Sequence, residues 1–380
     1  MRTSNNRFQR DANLAVAARA VWRRPGLSRA DFARELGLHR STAGSLIGAL
    51  LESGLLVEGE PGESAPRGGR RPVAIDFDRR FGLVAGLDLT PGSWRGALVD
   101  LRGDLVERFA APGHAPGAAI TELARAALAE ARTRAAARAL PLVGACAAVP
   151  GIVDPVEGTV LRSRPFGLRD YPLARELAPD TRFPFIVEND ANACAWARLA
   201  NARTEPGSDF VCVLARGNGT SPDGPLTAPG AGLGIALGGR VHYGSLYAAG
   251  EIADADGRAP GDFPDAGSVD SFAGFTERVF RSLVPVLAAL APRAVFACGE
   301  FRRREAETRA ALEARFPAFG GILAAHGAAF VFAGDGGHDV AEGACATFLS
   351  RLFAVPELSG PGARLPIGWD RVLRARAEGA

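Results

Sequence analysis

The pattern that most constrains this chain occurs twice. From Phe81 onward an apolar, strand-like run at 82–89 leads into two more at 94–100 and 105–110, with Arg102-Gly103-Asp104 as the turn between them. An Ala/Arg-rich helical stretch at 118–139 follows. A strand at 142–149 then ends on Pro150-Gly151, and another at 183–188 runs into a helix from about Ala191. The second set starts at Phe210, with strands at 210–215, 232–237 and 240–243. It continues as a helix at 269–289, a strand at 294–298, a helix near 302–315 and a final helix at 340–352. Two meanders, each feeding helices and further strands, predict a duplicated α/β core, although the repeat is weak residue by residue.

Residues 12–58 have a different character. A short amphipathic helix at 13–23 carries Leu14, Val16, Ala17 and Val21, and Pro25-Gly26 breaks it. Ser28 with Asp31 three positions on marks a helix start, and Gly37 is placed to end that helix in a left-handed conformation. A second helix spans 40–53 and Gly54 ends it. Phe32, Ala33, Leu36, Leu38, Leu46, Leu50 and Leu51 form the expected shared core. Helix, Gly-containing turn and helix is the helix-turn-helix pattern. Leu55 to Glu58 and the run 70–76 then bracket a polar Gly/Pro/Ser stretch, which predicts a β-hairpin wing with Arg67, Arg70 and Arg71 at its tip.

These residues nominate a double-stranded DNA surface. Arg40, Ser41, Thr42 and Ser45 lie on the first turns of the second helix, where side chains reach base edges in a major groove. Ser28 and Arg29 join them from the start of the preceding helix, and the wing arginines suit phosphates or a narrow minor groove. The alternative is a helical hairpin that merely docks on the α/β body, with Arg40 solvated and the wing a solvated linker.

Length and composition bound the rest. A chain of 380 residues has room for two or three domains, and 47% hydrophobic with 23% charged residues is ordinary for a soluble globular protein. The formal net charge is +2, so the whole molecule is no polycation. Every basic residue is Arg, which removes any P-loop lysine or Schiff-base chemistry. Five cysteines, at 146, 194, 212, 298 and 345, sit in apolar contexts with no Cys-x-x-Cys pair. That argues for buried thiols in a reducing cytoplasm and against a disulfide framework. Residues 1–11 are polar, no signal peptide is read, and no apolar run reaches the roughly 18 residues that would cross a membrane.

Several fragments together carry a family resemblance. They are Ser28-Arg29-Ala30-Asp31-Phe32-Ala33 with Gly37-Leu38-His39-Arg40-Ser41-Thr42, and Gly68-Gly69-Arg70-Arg71-Pro72. They continue with Val149-Pro150-Gly151-Ile152-Val153-Asp154, Glu188-Asn189-Asp190-Ala191-Asn192-Ala193, Gly232-Leu233-Gly234-Ile235 and Ala249-Gly250-Glu251-Ile252. In this order and spacing the chain resembles the repressor arm of the ROK family (repressors, open reading frames and sugar kinases). The resemblance implies an α/β protein in which an N-terminal winged helix-turn-helix domain precedes a two-lobed actin-like (sugar kinase/ribonuclease H-like) ATPase fold. The implied domains are 1–77 for DNA binding, 78–198 for the first lobe, and 199–380 for the second lobe with a C-terminal helix returning to the first.

The resemblance also implies roles, and departures from them. The residue matching Asp190 is the general base of the family's kinases, and the one matching Asn189 orients the sugar; the alternative is that either one caps the helix from Ala191. Glu251 persists from the family's pattern, Asp254 stands where a histidine belongs, and Asp270 where a glutamate belongs. These five are the candidate effector-binding residues. The family's phosphate turn, Asp-x-Gly-Gly-Thr, reads Asp88-Leu89-Thr90-Pro91-Gly92 here, and a proline there removes an N–H from any anion cradle. Gly230-Ala231-Gly232-Leu233-Gly234 is a second glycine-rich piece, equally readable as a hairpin turn. The family's zinc cysteines are missing from 261–270, and His242, His326 and His338 are scattered, so no metal and no cofactor is expected. Asp254, Asp256, Asp262 and Asp265 read as a solvated acidic loop, or as a site for a hard cation.

The expectation is a cytoplasmic transcriptional regulator, a repressor, with no enzyme activity and no membrane partner. It would bind an inverted-repeat operator as a homodimer or higher homo-oligomer and respond to a sugar or sugar derivative. Two rivals stay open: a sugar kinase carrying an accessory DNA head, and a constitutive DNA-binding dimer whose sensor pocket has decayed.

Overall fold

A computed structural model describes residues 2–61, 73–111, 117–201, 209–217, 229–252, 271–354 and 367–379. The chain opens with three helices, α1 (Arg2–Arg23), α2 (Arg29–Glu35) and α3 (Arg40–Glu52), and an antiparallel pair of strands, β1 (Leu56–Pro61) and β2 (Val73–Phe77). Ser28 caps α2 in the expected way. Its hydroxyl accepts the Asp31 N–H at 3.2 Å, and the Asp31 carboxylate reaches back to the Ser28 backbone N–H. Gly37 and Gly54 take φ of 62° and 69°, the left-handed values that end α2 and α3. Helix α1 is longer than the amphipathic stretch at 13–23, running back to Arg2.

The body contains two five-stranded mixed sheets. The first holds β3 (Leu83–Thr90), β4 (Ser93–Val99) and β5 (Leu105–Ala110); α4 (Ile120–Ala136) then crosses to β6 (Leu142–Val149). A small antiparallel sheet follows, β7 (Ile152–Asp154), β8 (Thr159–Ser163) and β9 (Leu168–Tyr171), which the sequence reading missed. After the short α5 (Leu173–Glu176), β10 (Phe185–Asn189) returns to the first sheet and α6 (Asp190–Asn201) leaves it.

The second sheet repeats the plan. β11 (Phe210–Arg216), β12 (Gly230–Leu237) and β13 (Arg240–Val241) form the meander; α7 (Ser271–Leu290) and β14 (Ala294–Gly299) follow. The predicted helix near 302–315 is split into α8 (Glu300–Arg303) and α9 (Glu305–Arg315). Then come α10 (Phe319–Ala325), β15 (Ala329–Phe332), α11 (Asp339–Leu352) and α12 (Trp369–Gly379); α10, β15 and α12 were unanticipated. The sheet orders are β10-β6-β3-β4-β5 and β13-β12-β11-β14-β15. In each, the opening meander is antiparallel and the later strands add in parallel to its first strand. The duplication expected from the sequence is therefore one of topology.

Helices α6 and α11 bind the two sheets together through glycines that admit backbone. A Cβ on Gly86 would stand 1.9 Å from the Ala341 carbonyl, and one on Gly343 would stand 2.3 Å from the Ala193 carbonyl. Gly234 does the same on β12, where a Cβ would meet the Ala191 carbonyl at 2.1 Å. The run 230–234 is thus strand, not turn, and its glycines set how closely the second sheet approaches the first turn of α6.

Candidate functional site

Two places collect the candidate residues. On the head, Arg40, Ser41, Thr42 and Ser45 are all exposed on the first turns of α3, while Ala43, Ile47 and Leu50 of the same helix are buried. The apolar stripe fastens the helix and leaves the polar face to solvent. Ser28 is spent on the cap and largely buried, and the Arg29 Nε donates to Glu58 of β1 at 3.0 Å. Arg67, Arg70 and Arg71 lie outside the described residues.

The second place is the cleft at the carboxyl ends of β3, β10 and β11. Asn189 ends β10 and Asp190 opens α6. The Asn189 Oδ1 accepts the Asn192 N–H at 2.9 Å, and its Nδ2 donates to the Gly151 carbonyl at 2.8 Å. It therefore both caps the helix and pins the turn after β6. Asp190 is 6% exposed and Asp88, at the end of β3, 2%. Between them lies Arg216, the last residue of β11. Its Nη2 and Nη1 donate to Asp88 Oδ1 and Oδ2 at 2.7 and 3.0 Å, a two-pronged carboxylate grip. Its Nε stands 2.6 Å from Asp190 Oδ2. Burial disfavours the Arg216 charge, but Asp88 and Asp190 together hold its pKa above the ordinary arginine value. Burial and the Asp88 charge raise the Asp190 pKa, and Arg216 opposes them.

The sequence reading did not nominate Arg216. The signal was a lone arginine closing an otherwise apolar strand, Phe210-Val211-Cys212-Val213-Leu214-Ala215. Glu188 was also missed as a site residue. It is wholly buried beneath the cleft, accepts the Tyr243 hydroxyl at 2.7 Å, and Tyr243 in turn accepts the Trp196 Nε1–H at 3.1 Å. Burial raises the Glu188 pKa, with Tyr243 opposing.

Glu251 is exposed, near enough to Asp190 to feel its charge, on a segment tied to β12 by the Leu233 N–H to the Gly250 carbonyl at 2.9 Å. Loss of hydration and the Asp190 charge raise its pKa, and Arg162 and Arg164 lower it. Asp254 and Asp270 lie outside the described residues, as does the 261–268 stretch. At the rim, Thr90 pairs with Ser93 across a two-residue turn of Pro91 and Gly92, and the Thr90 hydroxyl is 2.7 Å from that of Ser93. Among the described residues no cluster of His, Cys, Asp or Glu has metal-binding geometry.

With this geometry in place, comparison with known proteins is direct. Residues 84–254 match the ROK family. Over that span the chain is similar to ROK-family proteins. The xylose repressor of Bacillus subtilis is 23% identical over 253 residues, which cover 66% of this chain and 62% of that protein. A crystal structure of a ROK family transcriptional regulator, a homologue of the E. coli MLC protein, superposes with a TM-score of 0.65 at 15% identity over 98% of both chains. A ROK family glucokinase from Streptomyces griseus, in complex with glucose and AMPPNP, gives 0.53 at 20% identity over 70% of this chain and 98% of that one. At these identities the two structures show a shared fold. The head through the C-terminal helix falls within the first superposition.

Proposed function

We propose that this chain is a DNA-binding transcriptional repressor whose kinase-like body senses a sugar or sugar derivative, joins two copies, and transfers no phosphate. Residues 1–77 serve as the DNA-binding unit, 78–198 and 199–380 as the two lobes. The observation that carries this reading is Arg216 seated between Asp88 and Asp190. A general base must have its carboxylate free to take a hydroxyl proton. Here one oxygen of Asp190 is committed to a guanidinium. Asp88, at the head of the nucleotide turn, is committed to the same group, and Pro91 supplies no N–H to a phosphate.

The exposed face of α3 beside the β1–β2 pair supports the DNA half of the reading, as does similarity to a protein named as a xylose repressor. Asn189, Asp190 and Glu251 retain donors and acceptors suited to hydroxyl groups. A ligand preferring one arrangement of the lobes shifts the spacing of the two heads on an operator. Such a protein works in the cytoplasm.

The test has two arms. Selection from random duplexes followed by gel shift is expected to return an inverted repeat bound by a symmetric dimer, with affinity falling steeply as salt rises. ATP consumption over a panel of sugars is expected at background. Robust turnover with any sugar would establish the kinase rival, and failure to enrich any duplex would remove the repressor reading.

A further inference from the structure

At the opposite end of the first sheet from the cleft, a cavity of about 970 Å³ opens where the head joins the body. Its walls are the connection after β2 (Asp78, Arg80, Phe81), the last turns of α4, the start of β6, the approach to β10, and α12. Four arginines line it: Arg80, Arg132, Arg182 and Arg376. Three acids, Asp78, Asp180 and Glu378, also line it, so the arginines are in excess by one, and one of the acids is paired from outside. Asp180 is held by Arg125 from outside the cavity at 2.9 Å, and the Asp78 carboxylate accepts the Arg80 backbone N–H at 2.8 Å. Arg80 and Arg182 are exposed and have no ion pair among the described residues. The Arg376 guanidinium carbon sits over the Phe81 ring, 4.4 Å from its centroid, and its Nη1 is buried with no acceptor. An unanswered guanidinium nitrogen is costly, and a cavity of this size matches a small organic ligand.

We infer that this cavity binds a small, multiply charged anion of the phosphate-ester or polycarboxylate type, gripped by Arg80, Arg182 and Arg376. Guanidinium forks match both anion classes geometrically. The site is separate from the cleft and independent of its assignment. It also touches the head, because the Arg376 Nη2 lies 3.3 Å from where a Cβ of Gly54 would stand, at the end of α3. An anion that draws Arg376 into the cavity changes that contact.

The experiment is calorimetric titration of the full-length protein with pyrophosphate and with citrate at constant ionic strength. Saturable binding with one site per chain by at least one of them is expected; the stronger of the two names the class. Arg80→Gln with Arg182→Gln, both on the surface and so compatible with folding, is expected to weaken binding by about tenfold or more per arginine. No saturable heat from either probe overturns the proposal. So does binding indifferent to the double substitution, which would place the anion elsewhere.

Discussion

Trp22 of α1 stacks on Phe353, the residue that ends α11, with ring centroids 5.0 Å apart. Phe77 of β2 and Trp369 of α12 close on the same ring at 5.3 and 5.8 Å. Head and body are therefore joined through the far end of the helix that packs on β3 and α6, the elements carrying Asp88 and Asp190. Helix α11 therefore touches both the elements of the cleft and the aromatic cluster that joins head to body.

Phe353→Ala is expected to destabilise the protein by about 3–5 kcal/mol, because the ring is buried and its neighbours come from three separate elements. The loss should concentrate at the junction. Hydrogen exchange is expected to accelerate in α1 and β2 more than in β3 and β6. Uniform acceleration throughout would mean that the cluster is ordinary core and not a hinge between parts.

Arg216→Ala leaves Asp88 and Asp190 facing each other without their cation. Removing one partner from a buried ion cluster costs about 3–5 kcal/mol. The Asp190 pKa is already raised, and losing Arg216 raises it further. A carboxyl with a raised folded-state pKa binds protons more tightly in the native state, so its contribution to stability falls as pH rises through the window above 3.8. The variant's deficit against wild type is therefore expected to be largest near neutral pH and to shrink on acidification, as read by denaturant titration. A deficit independent of pH would show that the guanidinium matters for packing and not for charge.

The duplicated core was legible because its strands are buried on both faces and read as apolar runs; β3 and β6 are examples. Capping chemistry was equally legible at Ser28, Gly37 and Gly54, since each rests on three or four adjacent residues. The β7–β9 sheet escaped because its strands run over only three to five positions and bury at most two residues each. Helix α12 buries only Trp369, Val372 and Ala375 along a mostly polar stretch, too thin a stripe to stand out. Asn189 and Asp190 could be nominated from a local motif. Arg216 could not, because its meaning depends on Asp88, which is 128 positions away and on the other sheet. No local spacing encodes that meeting.

Arg40 opens α3 on its solvent face and is the residue there best equipped to read guanine. Arg40→Ala is expected to weaken operator binding by about 1–3 kcal/mol and to relax preference at one base position per half-site. Replacing Arg70 and Arg71 together is expected to weaken all duplexes alike and to reduce the slope of log affinity against log salt by about 2. Both are read by fluorescence anisotropy across salt concentrations. An unchanged affinity and preference for Arg40→Ala would mean that α3 enters the groove in another orientation.

Asp335 and Asp339 flank the glycine turn before α11 and share its amides. The Asp339 carboxylate accepts the Asp335 N–H at 2.7 Å, and the Asp335 carboxylate accepts those of Gly337 and His338 at 2.7 and 2.8 Å. Burial works against the Asp335 charge, but those amides and Arg108 hold its pKa down to about 2. Burial and Asp335 together push Asp339 up to about 6. The pair thus keeps one proton between those limits. For Asp339 the native state holds more protons than the unfolded chain from 3.8 up to about 6, so its contribution to stability declines as pH rises through that window and is flat above it. Asp335 acts in the opposite sense, supporting the fold above its ordinary value and losing that support as pH falls toward about 2. Asp339→Asn removes the first effect without removing the turn's acceptor oxygen. Denaturant titrations at about pH 4.5 and about pH 7 are expected to show the variant gaining on wild type at the higher pH. A stability difference that stays constant between the two would mean that Asp339 ionises in the native protein as it does in the unfolded chain.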